Sequence, residues 1–310
     1  MATVLITGGT GLIGKALTLE LVAKGYNVII LTRDKGGKSS SGSISYAVWD
    51  VEKQTIDKNA LAKADFIIHL AGTNVAGERW TAKRKKEIVD SRVQSAHLLV
   101  KTLAEIPNKV NAVVSASAIG WYGPDPQIPN PSPFVETDKS SDDFLGTTCR
   151  QWEAAIQPMQ QSGKRLVILR TGIVLSNNGG AYPEFRKPLH FGGATILGDG
   201  RQMVSWIHIT DLVRIYIEAI ENGRMKGVYN AVAPNPVTNK TMVSEIARQS
   251  RRWHIKVQVP AFILKMVLGE MSIEVLKSAT VSSQKIQAAG FPFMFPAIGP
   301  AIQNLNRKAS

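Results

Sequence analysis

Three glycines set three residues apart, Gly8-x-x-Gly11-x-x-Gly14, are the first residues of this 310-residue chain whose types and spacing point to chemistry. A short apolar run, Val4-Leu5-Ile6, precedes them and reads as a strand covered on both faces. After them Ile13, Leu17 and Leu21 recur every four residues, and Gly25 stands where a helix ends. Strand, glycine turn and helix together form a cradle for a dinucleotide pyrophosphate. Glycines let the backbone approach the phosphates, and the helix start offers unpaired N–H groups and a positive dipole end. A second strand is predicted over 27–32, ending in Arg33, with no Asp or Glu at positions 31–33. An acid there would hold the ribose 2′-OH of NAD, whereas a guanidinium accommodates the 2′-phosphate of NADP. The reading is therefore NADP(H), with Arg33 as a solvent-facing strand end the plainer alternative.

Other reactive side chains give less. His69 lies in the apolar run 64–71 and reads as a core histidine. Cys149 would need a depressed pKa to act as a nucleophile, but no His or Lys lies beside it, so it reads as a buried thiol. His208 and Asp211 have no further metal-type partners, and no metal site is expected.

The elements that must position these residues follow the same alternation. Strands are predicted at 44–49, 64–71, 110–117, 165–171 and 227–230, and helices at 80–105 and 144–157. Ile88, Val93, His97, Leu98 and Leu99 are the inward candidates of the first helix. Alternating strands and helices over the first 172 residues mean an α/β doubly wound parallel sheet of the Rossmann type with a smaller C-terminal substrate lobe. The expected division is a dinucleotide-binding domain over 1–172, with 204–232 returning to it. A substrate-side lobe then comprises 173–203 and 233–310, including a C-terminal segment of about 255–303. Residues 36–43 read as a flexible Gly/Ser loop, 124–133 as an extended proline-rich loop and 173–203 as loop-rich. Thr210 or Asp211 is the expected N-cap of a helix opening after His208. Further helices are expected around 240–251 and 260–278, and the C-terminal tail ends polar.

Bulk properties narrow the classes. A chain this long buries about three-quarters of its unfolded surface, so its core needs no staples. One cysteine excludes an internal disulfide and fits a reducing compartment. No basic leader precedes the first apolar run, and no window reaches the ~18–20 apolar residues of a membrane span. The expectation is a soluble cytoplasmic protein with no membrane partner. The net charge of +13 invites a nucleic-acid reading. Its basic runs (Lys35 and Lys38, Arg84-Lys85-Lys86, Arg251-Arg252) are scattered, however, and no aromatic-basic motif joins them. A solvated basic surface that favours anionic ligands is expected instead.

The ordered motifs resemble the extended short-chain dehydrogenase/reductase superfamily: Thr7-Gly-Gly-Thr-Gly-Leu-Ile-Gly14, His69-Leu-Ala-Gly72, Ser115-Ala-Ser117, Tyr122-Gly123 and Trp206-Ile-His-Ile-Thr-Asp211. More closely they resemble its atypical epimerase-family branch, that of cell-division-inhibitor-like nucleoside-diphosphate-sugar epimerases. Arg79-Trp80, Asp90-Ser-Arg92, Ala118-Ile-Gly-Trp-Tyr-Gly123, Cys149-Arg-Gln-Trp-Glu153, Arg170-Thr-Gly-Ile-Val-Leu175, Leu268-Gly-Glu270 and Gly290-Phe-Pro-Phe293 carry that resemblance. It implies cofactor contacts at Gly8, Thr10, Gly11, Leu12, Ile13, Gly14, Thr32, Arg33, Leu70, Ala71, Gly72, Ser115, Glu87, Arg92 and Leu175. For Arg92 a guanidinium beside the pyrophosphate is physically apt, whereas Glu87 reads equally as a surface carboxylate.

The resemblance also implies a serine, a tyrosine and a lysine as the proton relay. Ser117 falls on the serine position. The helix that should carry Tyr-x-x-x-Lys reads Phe144-Leu-Gly-Thr-Thr148-Cys149-Arg150, and no tyrosine in the chain has a lysine four residues on. Tyr122, on the loop leaving the strand of Ser117, is the substitute acid if a neighbour lowers its pKa. Trp152 and Glu153 read as helix packing and solvated charge. Two functions follow. One is an NADP(H)-dependent oxidoreductase or epimerase-like enzyme acting on a small molecule, a carbonyl compound or nucleotide sugar, near Ser117, Tyr122 and Tyr182. The other is a non-catalytic NADPH-binding regulator or redox sensor. Neither the substrate nor the oligomeric state is encoded in these motifs.

Overall fold

Apolar runs of four to seven residues alternate with helices through the first half of the chain in the computed structural model, which describes residues 1–34, 40–250 and 253–307. In order they are β1 Thr3–Thr7, α1 Leu12–Ala23, β2 Asn27–Thr32, β3 Ile44–Asp50, β4 Thr55–Ile56, α2 Lys58–Lys63, β5 Phe66–His69, α3 Ala82–Glu105, β6 Ala112–Ala118, α4 Phe144–Ile156, α5 Pro158–Gln161 and β7 Arg165–Thr171. Side chains start the larger helices. Asp57 caps α2, Thr81 caps α3 and Asp143 caps α4, each accepting a backbone N–H two or three residues into the first turn.

Beyond Gly172 the elements shorten: β8 Ile173–Ser176, β9 Gly179–Gly180, α6 Ala181–Arg186, β10 Gly193–Leu197, β11 Met203–Val204, β12 Trp206–His208, α7 Ile209–Glu221, β13 Gly227–Ala231, β14 Val237–Thr238, α8 Asn239–Gln249, β15 Ile255–Val259, α9 Ala261–Leu268, α10 Ser272–Leu276, α11 Gln284–Ala288 and α12 Ile298–Arg307. The stretch 173–203, expected to be loop-rich, is thus built of short strands and a helix. Its glycines, with positive φ at Gly179, Gly180, Gly192, Gly198 and Gly200, are tight turns between elements.

The main sheet has eight strands in the order β13-β7-β6-β5-β1-β2-β3-β4, parallel except at β4. The order reverses between β1 and β5, which leaves a crevice outside their carboxyl ends, where open α/β sheets take ligands. One face packs Leu17 and Leu21 of α1 against Leu212, Ile215 and Tyr216 of α7. The other packs Leu98, Leu99 and Leu103 of α3 against Ile156 and Met159. A third core joins Leu175, Tyr182, Trp206, Met242 and Ile246 to Ala301, Ile302 and Leu305 of α12. The segment before the polar chain end is therefore a packed helix with an apolar stripe at three- and four-residue spacing.

Two local expectations are corrected. His97 is exposed on α3. The N-cap of α7 is His208, whose Nδ1 accepts the Thr210 N–H at 3.1 Å. Asp211 is drawn elsewhere, its buried carboxylate accepting the N–H groups of Met294 and Phe295 at 2.8 Å each. Lys35, Lys38, Arg251, Arg252 and residues 36–39 of the Gly/Ser stretch lie outside the described residues. Among the described residues no helix is long and apolar enough to cross a membrane.

Gly14 is where strand and helix touch. A Cβ there would lie 2.4 Å from Gly8 O and 2.5 Å from Gly9 Cα, both backbone atoms. Gly14→Ala should cost about 1–3 kcal/mol as an overpacked contact, read by urea denaturation. Gly25→Ala, at φ +85 with nothing within 4 Å, should lose only about 1 kcal/mol.

Candidate functional site

Thr7, the last residue of β1, ties the two sides of the crevice together. Its Oγ1 accepts the N–H groups of Leu70 and Ala71 at 3.0 and 3.1 Å and gives its own proton to His69 Nδ1 at 2.8 Å. With Nδ1 as acceptor, His69 carries its proton on Nε2, which faces Ser95 Oγ at 3.4 Å. His69 is fully buried, and desolvation lowers its pKa to about 3, so it is a neutral core histidine that holds β1 against α3. Above Thr7, Gly8 adopts φ +68 and approaches the Leu70 carbonyl so closely that a Cβ would lie 2.8 Å from it. Gly11 is the N-cap of α1. No side chain caps this helix, no acid occupies its first turn, and Thr10 and Gly11 are exposed at the tip of the turn. The end of α1 therefore presents backbone N–H groups and a positive dipole to the crevice.

The other expected cofactor positions divide by what they touch. Arg33 is exposed at the end of β2, and the Thr32 hydroxyl donates to Asp34 O at 2.8 Å. Leu70, Ala71 and exposed Gly72 line the β5 side. Arg92 lies against Gly72, donates to Ile88 O and Thr73 O at 2.9 and 3.1 Å, and stacks its guanidinium 5.0 Å from the Trp152 ring. Burial lowers its pKa to about 10, so it stays charged at neutral pH. Glu87 pairs with Arg84 at 3.1 Å. Leu12 lies under Gly180, and Ile13 packs into the core between α1 and α7. Ser115 is buried in β6, its hydroxyl on Ala116 O at 3.2 Å. Leu175 is fully buried in the third core, so its side chain is a packing residue.

The expected relay residues converge, but on each other. Ser117, 3% exposed, donates its hydroxyl proton to Glu153 Oε1 at 2.7 Å. Glu153 is gripped in turn by Arg170, Nε to Oε1 at 2.8 Å and Nη2 to Oε2 at 2.9 Å. Arg170 Nη1 donates to the Tyr122 hydroxyl and to Glu136 O, each at 3.1 Å, and the guanidinium stacks 3.6 Å from the Trp121 ring. Tyr122 donates to Asn230 Oδ1 at 2.7 Å. Tyr122 is fully buried, and desolvation pushes its pKa up to about 12, the wrong direction for an acid working near neutrality. The expectation of Tyr122 as a cleft-mouth proton donor is corrected on that ground. Tyr182 is likewise buried, bonded to Asn306 at 2.7 Å. Cys149 is a buried thiol, and desolvation raises its pKa to about 12.

Sequence reasoning missed Glu153, read as solvated charge, and Arg170. A signal was present: Arg170 closes the run Arg165-Leu-Val-Ile-Leu-Arg170, and a cation in a buried strand demands a partner. The register pairs it with Ser117 on the neighbouring strand. Lys277 was also missed. Its Nζ reaches Glu274 at 2.7 Å, Tyr122 O at 3.3 Å and Asp143 at 3.5 Å. Among the described residues, no group of three or more His, Cys, Asp or Glu could hold a metal ion.

Comparison with known proteins gives two matching regions. The NAD dependent epimerase/dehydratase family matches residues 4–231, and DUF1731, a domain of unknown function, matches residues 259–305. The chain is 36% identical to epimerase family protein SSP1921 of Staphylococcus saprophyticus, over 97% of this chain and 98% of that protein. It superposes on a crystal structure of human epimerase family protein SDR39U1 with NADPH at TM-score 0.85 and 28% identity, covering 98% of this chain and 99% of that one. A nucleoside-diphosphate sugar epimerase from Corynebacterium glutamicum matches at TM-score 0.78 and 33% identity, over 99% of this chain and 58% of that one.

Two stability measurements follow from this geometry. Glu153→Ala leaves Arg170 buried without its carboxylate and should cost about 3–5 kcal/mol in urea denaturation, against about 1–3 for Tyr122→Phe. Equal small losses would show that the network is incidental. Between pH 6.5 and about 3 the unfolded chain binds a proton at His69 that the folded chain does not. Stability from this group is therefore complete above pH 6.5 and falls by about 2 kcal/mol on going down to pH 5. His69→Gln should remove that slope from the stability–pH curve.

Proposed function

The chain belongs to the NAD dependent epimerase/dehydratase family, and on that premise we propose that it is an NADP(H)-binding protein of the oxidoreductase or epimerase type. In this reading the pyrophosphate lies over Gly8, Gly11 and the start of α1, the adenosine ribose passes Leu70–Gly72, and Arg33 takes the 2′-phosphate. Arg92 supplies a charged donor from the β5 side. The observation that carries it is the uncapped N-terminus of α1 opening on the crevice between β1 and β5. The NADPH of the human structure supports the choice of coenzyme, as does the absence of an acid at 31–33. A small-molecule substrate occupies the space between the sheet's carboxyl edge and the second lobe.

Ser117 and Tyr122 are not the proton relay in this reading. Ser117's proton is given to Glu153 and Tyr122's to Asn230, so neither hydroxyl has one to offer a ligand without breaking a buried bond. That observation also favours a second reading, a protein that holds NADPH without turning it over and signals its occupancy.

Calorimetry with NADPH and NADH tests the cofactor site. NADPH should bind, and Arg33→Asp should weaken it about ten- to a hundredfold while leaving NADH nearly unchanged. Equal losses would remove Arg33 from the 2′-phosphate site, and no heat with either coenzyme would overturn the proposal. Following NADPH absorbance with carbonyl compounds, and the conversion of nucleotide sugars to their epimers, then separates the two readings: an oxidoreductase consumes the coenzyme, an epimerase isomerises the sugar with no net change in the coenzyme, and the regulator does neither.

A further inference from the structure

The second lobe carries a two-stranded parallel ribbon, β10 against β15, paired from Gly193 with Ile255 to Leu197 with Val259. Residues opposite each other on such a ribbon share a face, and successive residues alternate between faces. Ala194 and Ile196 are buried in the third core with Met242 and Val243 of α8. Their partners in β15, Lys256 and Gln258, therefore lie on that inner face, and Ile255, Val257 and Val259 on the outer one. The strand turns its apolar set away from the core: Ile255 is 54% and Val257 40% exposed. Trp253, two residues before the strand, is 78% exposed.

Backbone groups show which side of β15 is open. Ile255 N–H donates to Gly192 O, and Val259 O accepts from Gly198 N–H, each at 2.9 Å. By alternation Ile255, Val257 and Val259 direct their N–H and C=O groups toward β10, and Lys256 and Gln258 direct theirs the other way. On that side no strand pairs with β15 among the described residues. An open edge of this kind is a template for another strand.

The order Ile-Lys-Val-Gln-Val selects the strand that fits. A second copy related by a two-fold axis through Val257 runs antiparallel to the first. It places Val257 against Val257, Ile255 against Val259 and Lys256 against Gln258. Lys256 and Gln258 then exchange both N–H···O bonds, apolar residues meet apolar residues, and the one charge of the strand meets an amide. Neighbouring registers fail. An axis through Lys256 opposes two ammonium groups, and one through Gln258 puts Lys256 against Pro260, which has no N–H to give. The axis through Val257 also brings Trp253 beside Ala261 of the other copy, at the exposed start of α9.

We propose that β15 is a dimerisation strand, at which two copies of this chain join edge to edge about Val257. The ribbon then runs β10-β15-β15-β10, and the contact closes because each copy uses the same edge.

Sedimentation velocity on the full chain at about 100 μM should show a dimer that dissociates on dilution. Val257→Asp and Val257→Lys, at an exposed position, set like charges directly opposite each other and should each weaken self-association about tenfold or more. Mixing the two variants should restore a dimer, because position 257 faces itself across the axis. Val257→Cys should give a disulfide-linked dimer with copper–phenanthroline, and Lys256→Cys should not, since Lys256 faces Gln258. The native Cys149 is buried and stays out of this reaction. A monomer at every concentration overturns the assignment and leaves the edge to a strand from another protein. A dimer indifferent to both charged variants, charged variants that stay apart when mixed, or equal cross-linking at 256 and 257 overturns it as well.

Discussion

A buried guanidinium organises the centre of this protein. Arg170 makes four hydrogen bonds, two to Glu153, one to Tyr122 and one to the Glu136 carbonyl, and lies flat on Trp121. Taking two charges out of water is costly, and their attraction repays it only with good geometry and with the remaining donors and acceptors satisfied. Here Ser117 satisfies Glu153, and Tyr122 links the guanidinium to Asn230, whose N–H is held by the Glu136 carboxylate at 2.8 Å. The network spans β6, α4, β7, β13 and the loop between β6 and α4. Hydroxyls at positions that resemble a catalytic relay thereby became partners of an ion pair.

The glycine-turn side of the crevice is assembled on a different principle. Backbone groups and small residues do the shaping: Gly8 against the Leu70 carbonyl, Gly14 against Gly8, and the Thr7 hydroxyl bridging the ends of β1 and β5. Little there depends on the identity of large side chains, because a phosphate needs close backbone and an unobstructed helix end. The two halves of the crevice are therefore held by separate sets of contacts, backbone on one side and a buried side-chain network on the other.

Polar stitches fix the C-terminal segment to both halves. Asp125 accepts from Ser278 and from both the backbone and hydroxyl of Thr280. Lys277 joins α10 to the start of α4, and Asp211 holds the chain at Met294 and Phe295. With so much of the segment anchored, the exposure of α9 between β15 and Gly269 stands out as a local feature.

The sequence by itself determined the periodic and local features. Strands of apolar residues, helices at four-residue spacing, and a glycine turn between the first strand and helix all follow from neighbours within one turn or one pleat. The Rossmann order and the glycine turn were legible for that reason, as was the buried state of His69, which lies in an apolar run; that of Cys149 was legible only from the lack of a His or Lys beside it. The short strands of 173–203 were not, because glycine turns and loops share a composition, nor was α12, whose stripe has meaning only against the third core. The partners of Ser117, Glu153 and Asp211 lie on other elements. Glu153 and Arg170 are 17 residues apart and Tyr122 and Asn230 are 108, so only tertiary structure could decide that a helix carboxylate would be buried rather than solvated. Local pattern states whether a residue can turn inward, and the packing of distant elements decides what it meets there.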